Sequence, residues 1–213
     1  MSALRRDKTG VCGIRPYLVR NPASARHANA RVGQLKGQIT LRGRGFLEVA
    51  GSRYTVLAVL AGITGLYYFI VATMNCVDTD TNRRGVAAVL SMRRTIHHPG
   101  VNWHAITSGT AVWTVYSLIV IWEFLIAFVL LVAAVAWLRV LAGHPVRDNA
   151  VRLASIGWTM AVLQFFGGFL TIGEWFRMWA NTEVNASSAA LQNFLIAAVG
   201  LILVHLPERP VQT

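Results

Sequence analysis

The chain is short of charge, and of negative charge above all. Charged residues make up 14% of its 213 positions, and nine acids stand against 20 Lys and Arg. So little charge, with apolar residues at 54%, argues against a soluble domain. Cysteine is nearly absent as well. Cys12 lies in the N-terminal tail and Cys76 ends the first apolar segment. On the topology argued below they face opposite sides of a membrane, which excludes a disulfide framework within one chain. There is no early apolar run of the kind that marks a secretory signal peptide. The sequence also lacks a phosphate loop, a dinucleotide fingerprint, a nucleophile elbow and a zinc-protease motif. No catalytic residue, metal or cofactor is therefore assigned.

What remains is apolar length. Runs of roughly 20 residues recur, enough to cross a hydrocarbon core of about 30 Å as helix. They do not alternate faces as a soluble core helix would. The fold class expected is all-α: a four-helix transmembrane bundle over residues 49–207, with helices at about 54–76, 113–138, 153–175 and 189–206. An outer loop covers 77–108, and 208–213 is a short tail. Within that loop the apolar stretch 85–92 is too short to span and reads as an interfacial or re-entrant helix.

Residues 1–48 hold no sustained period. Eleven of the Lys and Arg fall between Arg5 and Arg53, accompanied by only Asp7 and Glu48. A disordered basic tail fits this composition. So does an organellar transit peptide, or a translation start nearer Leu47 or Val49. A basic tail next to a first span attracts anionic lipid and marks the cytoplasmic side. With only Tyr17 and Phe46 interleaved, it does not read as a nucleic-acid surface.

Four spans put both termini on one side. The tail and the loop with Arg139, Arg147 and Arg152 agree that this side is cytoplasmic. The opposite loop carries Arg83, Arg84, Arg93 and Arg94. Trp103, Trp113, Trp175 and Trp179 are expected in an outer aromatic belt, and Tyr54, Trp137 and Trp158 in an inner one.

Two sets of polar residues interrupt this apolar plan. Glu123 lies inside an unbroken apolar run, where an ionised carboxylate costs at least about 2.5–3.5 kcal/mol on insertion scales. It must face the bundle and be protonated or partnered. Gln164 falls at a similar depth on the third helix, in a small-residue stripe of Gly157, Ala161, Gly168 and Thr171. A Glu123–Gln164 hydrogen bond at mid-depth is expected. It serves either as a proton- or ion-handling site or as a bond that fixes packing.

The second set lies at the outer mouth, in the stretch Thr171-Ile-Gly-Glu-Trp-Phe-Arg-Met-Trp179. Glu174 and Arg177, three apart, have the spacing of a helical ion pair. Asn75, Asp78 and Asn185 fall at the same end, and Trp122, Trp175 and Trp179 are candidate aromatic anchors. His97, His98 and His104 with Asp78 or Asp80 make a poor metal set, since adjacent histidines on one element rarely share an ion.

From about Arg53 to His205 the chain resembles the small bacterial integral membrane proteins grouped as domain of unknown function 2165. The resemblance is carried by Asn75, Asp78 and Asn82, by Val89-Leu-Ser-Met92, by Tyr116 through Trp122-Glu123, and above all by Gly173-Glu-Trp-Phe-x-Met-Trp179 with Asn185. It implies a four-helix plasma-membrane protein and leaves the activity open. Ala88 and Arg93 stand where the family pattern has a histidine and an acid. The function expected is a structural or accessory subunit of a membrane complex, with membrane lipids, a membrane-protein partner or a second copy as its partners. The alternative is a small transporter or proton-coupled protein that uses Glu123.

Overall fold

The computed structural model describes residues 45–95 and 100–207, which fall within one compact unit, Arg44–Thr213. The basic tail up to residue 44, His97, His98 and residues 208–213 lie outside the described residues. Those described are helical and contain no strand. After a short turn of helix, α1 (Phe46–Ala50), the chain forms α2 (Arg53–Val77), α3 (Thr79–Leu90), α4 (Gly109–Leu141), α5 (Arg147–Trp175) and α6 (Ser187–His205). By length and composition α2, α4, α5 and α6 are able to cross a membrane.

These helices start where local chemistry starts them. Ser52 caps α2 through Thr55 N, and Ser108 caps α4 through Ala111 N. Asp78 ends α2 and caps α3, accepting from Thr81 N at 3.3 Å. That cap moves the start of α3 to Thr79, ahead of the apolar stretch 85–92 that marked it in the sequence. Similarly α4 and α5 begin outside their apolar windows, because the polar turns Gly109–Ala111 and Arg147–Asn149 are helical without being hydrophobic. Hydropathy locates spans, whereas caps locate helices.

α2 packs along α4, α4 along α5 and α5 along α6, and α6 returns to α2. The core between them is built from small residues and a few large rings. Ala61, Ala72, Ala133, Ala154, Ala161 and Ala197 are fully buried. At Gly65 the crossing is so close that a Cβ would lie 3.0 Å from Leu131 N and 3.2 Å from Ala127 O. The outward faces carry Ile63, Leu66, Phe69, Leu118, Ile121 and Phe128, an apolar coat suited to lipid rather than water.

Trp137 and Trp158, expected in an inner aromatic belt, are buried to 1% and 0% exposure. Trp137 stacks on Tyr54 at 5.6 Å. Trp158 fills the space left by Gly200, where a Cβ would come within 2.4 Å of its ring. Both are core residues, Trp137 covered by the Tyr54 ring and Trp158 by the close approach of α6 at Gly200. Trp103, Trp113, Trp175 and Trp179 are all about half exposed or more, at the end where α3 lies. This end is called the loop end below, and the opposite one the terminal end.

Two local structures shape the loop end. From Leu163 to Ile172 α5 widens into π-helix, with Gln164 near its start. The Thr171 hydroxyl donates to Phe166 O, five residues back, at 2.8 Å. The widening turns Thr171 away from the stripe that Gly157, Ala161 and Gln164 share: these three are buried, Gly168 is half-buried and Thr171 is exposed. Past Trp175, Arg177 takes a left-handed backbone (φ 54°), and the chain folds into a 3-10 turn, Met178–Ala180.

Candidate functional site: a closed carboxylate joint

Three polar side chains inside the bundle, from three helices, meet at one level. Glu123, on α4, is 3% exposed. Asn75 Nδ2 donates to its Oε2 at 2.7 Å, from the last turn of α2. Gln164 Nε2 donates to its Oε1 at 3.2 Å, from α5. Each carboxyl oxygen thus receives an amide N–H from a different helix. Among the described residues no basic side chain forms an ion pair with Glu123.

Neighbouring residues extend the joint. The Tyr116 hydroxyl, two turns before Glu123, donates to the backbone carbonyl of Asn75. Trp122 donates its indole N–H to Met160 O at 3.0 Å. Trp122 is thus a tie between α4 and α5 beside the acid. A second tie joins α2 to α6: the Tyr68 hydroxyl donates to Asn193 Oδ1 at 3.2 Å, and the ring stacks on Phe165. In hydrocarbon each such bond is worth about 0.6 kcal/mol on average, and up to about 1.7.

Asn75 was expected at the outer mouth and Glu123 at mid-depth. Their side chains touch, so the two layers are one, and the joint sits toward the loop end of the bundle. The signal was present in the sequence. Asn75 continues the buried stripe Ala61, Gly65, Tyr68 and Ala72 at helical spacing, and so faces the bundle.

The other mouth residues are not gathered into a site. Glu174 is exposed, and no ion pair to Arg177 forms among the described residues. The helix ends between them, and the left-handed turn at Arg177 carries its guanidinium over the Trp179 ring, 5.9 Å from the centroid. Asp78 is spent on the α3 cap. Asn185 donates to Trp179 O and accepts from Ser187 N, which shapes the start of α6. Trp175 packs edge-on to Trp103 and against His104, whose Nε2 lies 2.8 Å from Trp175 O.

Sequence reasoning missed Asn181. It is 5% exposed and donates to Ala88 O at 3.1 Å, while its Oδ1 accepts from Glu183 N and Val184 N. Thr182 bonds Arg94 O through both its backbone N–H and its hydroxyl, and Arg94 lies 3.6 Å from Glu183. Together with a small core of Leu90, Met92, Val112 and Phe176, these bonds fasten the α3 segment onto the 176–185 loop. Among the described residues no three His, Cys, Asp or Glu side chains are grouped to hold a metal.

An all-α bundle of four apolar helices, with its polar groups turned inward, defines an integral membrane protein. The chain matches the family described as predicted small integral membrane protein, domain of unknown function 2165, over residues 32–207, and belongs to that family. The match takes in residues 32–48 of the basic tail, ahead of the Arg53 boundary drawn from the motifs. Neither the curated proteins nor the solved structures contain a match to it.

Proposed function

We propose that this protein is a non-catalytic accessory or self-associating subunit of a plasma-membrane assembly, with both termini in the cytoplasm. The reading rests on one observation above all. Both oxygens of the only intramembrane carboxylate predicted from the sequence are taken by amides of two other helices. A side chain so closed holds helices in register. The chemistry then left for partners is the apolar coat and the half-exposed tryptophans of the loop end. The orientation is supported by Arg139, Arg147 and Arg152 beside the short connection between α4 and α5. Ion pairs occur at both ends, Arg83 with Asp80 and Arg94 with Glu183 at the loop end and Arg147 with Asp148 at the terminal end, so the orientation rests on the position of the arginines alone.

Co-purification of the tagged chain from its native membrane in mild detergent, read by mass spectrometry, tests this function. A stoichiometric partner or a defined homo-oligomer is expected. A chain that emerges alone and monomeric would overturn it.

A second reading is favoured by Gln164. Its Oε1 is buried and has no hydrogen-bond partner among the described residues, next to the carboxyl of Glu123. An acceptor so placed suits a carboxyl that takes up and releases a proton. Proton flux into proteoliposomes, lost in Glu123→Gln, is the outcome that would favour this reading over the first.

A further inference from the structure

At the terminal end, the start of α5 lies against the finish of α6, and a groove of about 360 Å³ opens between them. Arg147, Asp148 and Arg152 line it from α5, and His205 from α6, above an apolar floor of Val151 and Val204. His205 Nε2 meets Ser155 Oγ at 3.0 Å, one turn along α5 from Arg152, which pins the imidazole between the two helices. The α6 carbonyls at this end are already claimed: Arg53 donates to Leu203 O, Val204 O and Leu206 O. The guanidinium thereby offsets the negative end of the α6 dipole, which would otherwise repel an anion.

We propose that this groove binds the phosphate of an anionic phospholipid headgroup. Two guanidinium groups supply donors matched to phosphate oxygens, and the imidazole adds Nδ1–H in the tautomer whose Nε2 accepts from Ser155. The valine floor suits the glycerol and first methylenes of an amphiphile. The groove lies where two spans give way to polar turns, which is the depth of a headgroup. Among the described residues that line the groove, Asp148 is the one of opposing charge. Its Oδ1 is 3.9 Å from Arg147 Nη1, and it lines the same groove. The proposal is independent of the joint at Glu123, which lies toward the opposite end of the bundle.

The test is native mass spectrometry of the full chain in detergent, titrated with phosphatidylglycerol, phosphatidylcholine or inorganic phosphate. Wild type is expected to retain phosphatidylglycerol over phosphatidylcholine. Arg147→Gln with Arg152→Gln removes both charge-assisted contacts to the phosphate and is expected to weaken retention on the order of tenfold or more. Arg139→Gln, a basic residue outside the groove, is expected to leave retention unchanged. Asp148→Asn is expected to strengthen it severalfold, a gain that misfolding does not imitate. Equal retention by the double variant overturns the proposal, as does an Arg139→Gln loss of the same size. Saturation by inorganic phosphate with the same arginine dependence would reassign the groove to free phosphate and overturn the lipid commitment.

Discussion

Asn75 Nδ2 donates to Glu123 Oε2 at 2.7 Å, across 48 residues of sequence and between two helices each long enough to span a membrane. The other carboxyl oxygen takes Gln164 from a third. An acid that is expensive to place in hydrocarbon thereby becomes the point where α2, α4 and α5 are joined.

Substitutions at 123 should separate shape from charge. Gln keeps the side-chain length and one acceptor oxygen, and a turned amide on Asn75 or Gln164 restores the second bond. Glu123→Gln is expected to unfold within about 1 kcal/mol of wild type. Glu123→Ala leaves the buried amide of Gln164 and the half-buried amide of Asn75 without acceptors and is expected to cost about 2–4 kcal/mol. Thermal unfolding in detergent, followed by circular dichroism, checks both.

A helix crossing built on absent side chains should not accept new ones. Gly200→Ala places a methyl 2.4 Å from the buried ring of Trp158. The expected cost is about 1–3 kcal/mol, from displacement of the indole or of α6. It should appear as a lowered Tm together with a changed tryptophan emission spectrum.

The fastening at the loop end should open locally. Asn181→Ala removes the bond to Ala88 O and the acceptor for Glu183 N and Val184 N. Faster hydrogen exchange is expected across α3 and the 176–185 loop, with α4 and the terminal end unchanged. Uniform protection would mean that the small core of Leu90, Met92, Val112 and Phe176 holds this segment without Asn181.

Orientation is open to direct reading. With a cytoplasmic C-terminus, a fluorescent protein fused after Thr213 is expected to fluoresce and an alkaline phosphatase fusion to stay inactive. The reverse pattern would place Arg83, Arg84, Arg93 and Arg94 on the cytoplasmic side instead.

Much of this molecule was legible because lipid is a demanding solvent. Apolar length alone announces α2, α4, α5 and α6, since few other structures satisfy the backbone in hydrocarbon. Glu123 stood out for the same reason, as an acid in an apolar run. Gln164 shared its helix face with Gly157 and Ala161, and the two side chains meet at 3.2 Å. Depth was harder to read. Counting from span ends placed Asn75 in another layer than Glu123, because α4 has 33 residues against 25 in α2, so distance from a helix end is not a common measure of depth. The Glu174–Arg177 pairing needed helical spacing to continue past Trp175, where the helix ends in the sequence reading and in the structure alike. The left-handed turn at Arg177 carries no glycine to announce it. The ties of Asn181 and Asn193 join segments far apart in sequence, and no local pattern reports such pairs.

The claim that Glu123 is a joint between helices is tested most directly by a double-mutant cycle on Asn75 and Glu123. The variants are Asn75→Ala, Glu123→Ala and both together, with unfolding free energies measured in one detergent. A joint predicts a coupling of about 1 kcal/mol, the double variant being little worse than Glu123→Ala alone. Strictly additive losses would show that the two side chains do not depend on each other, and would contradict the account.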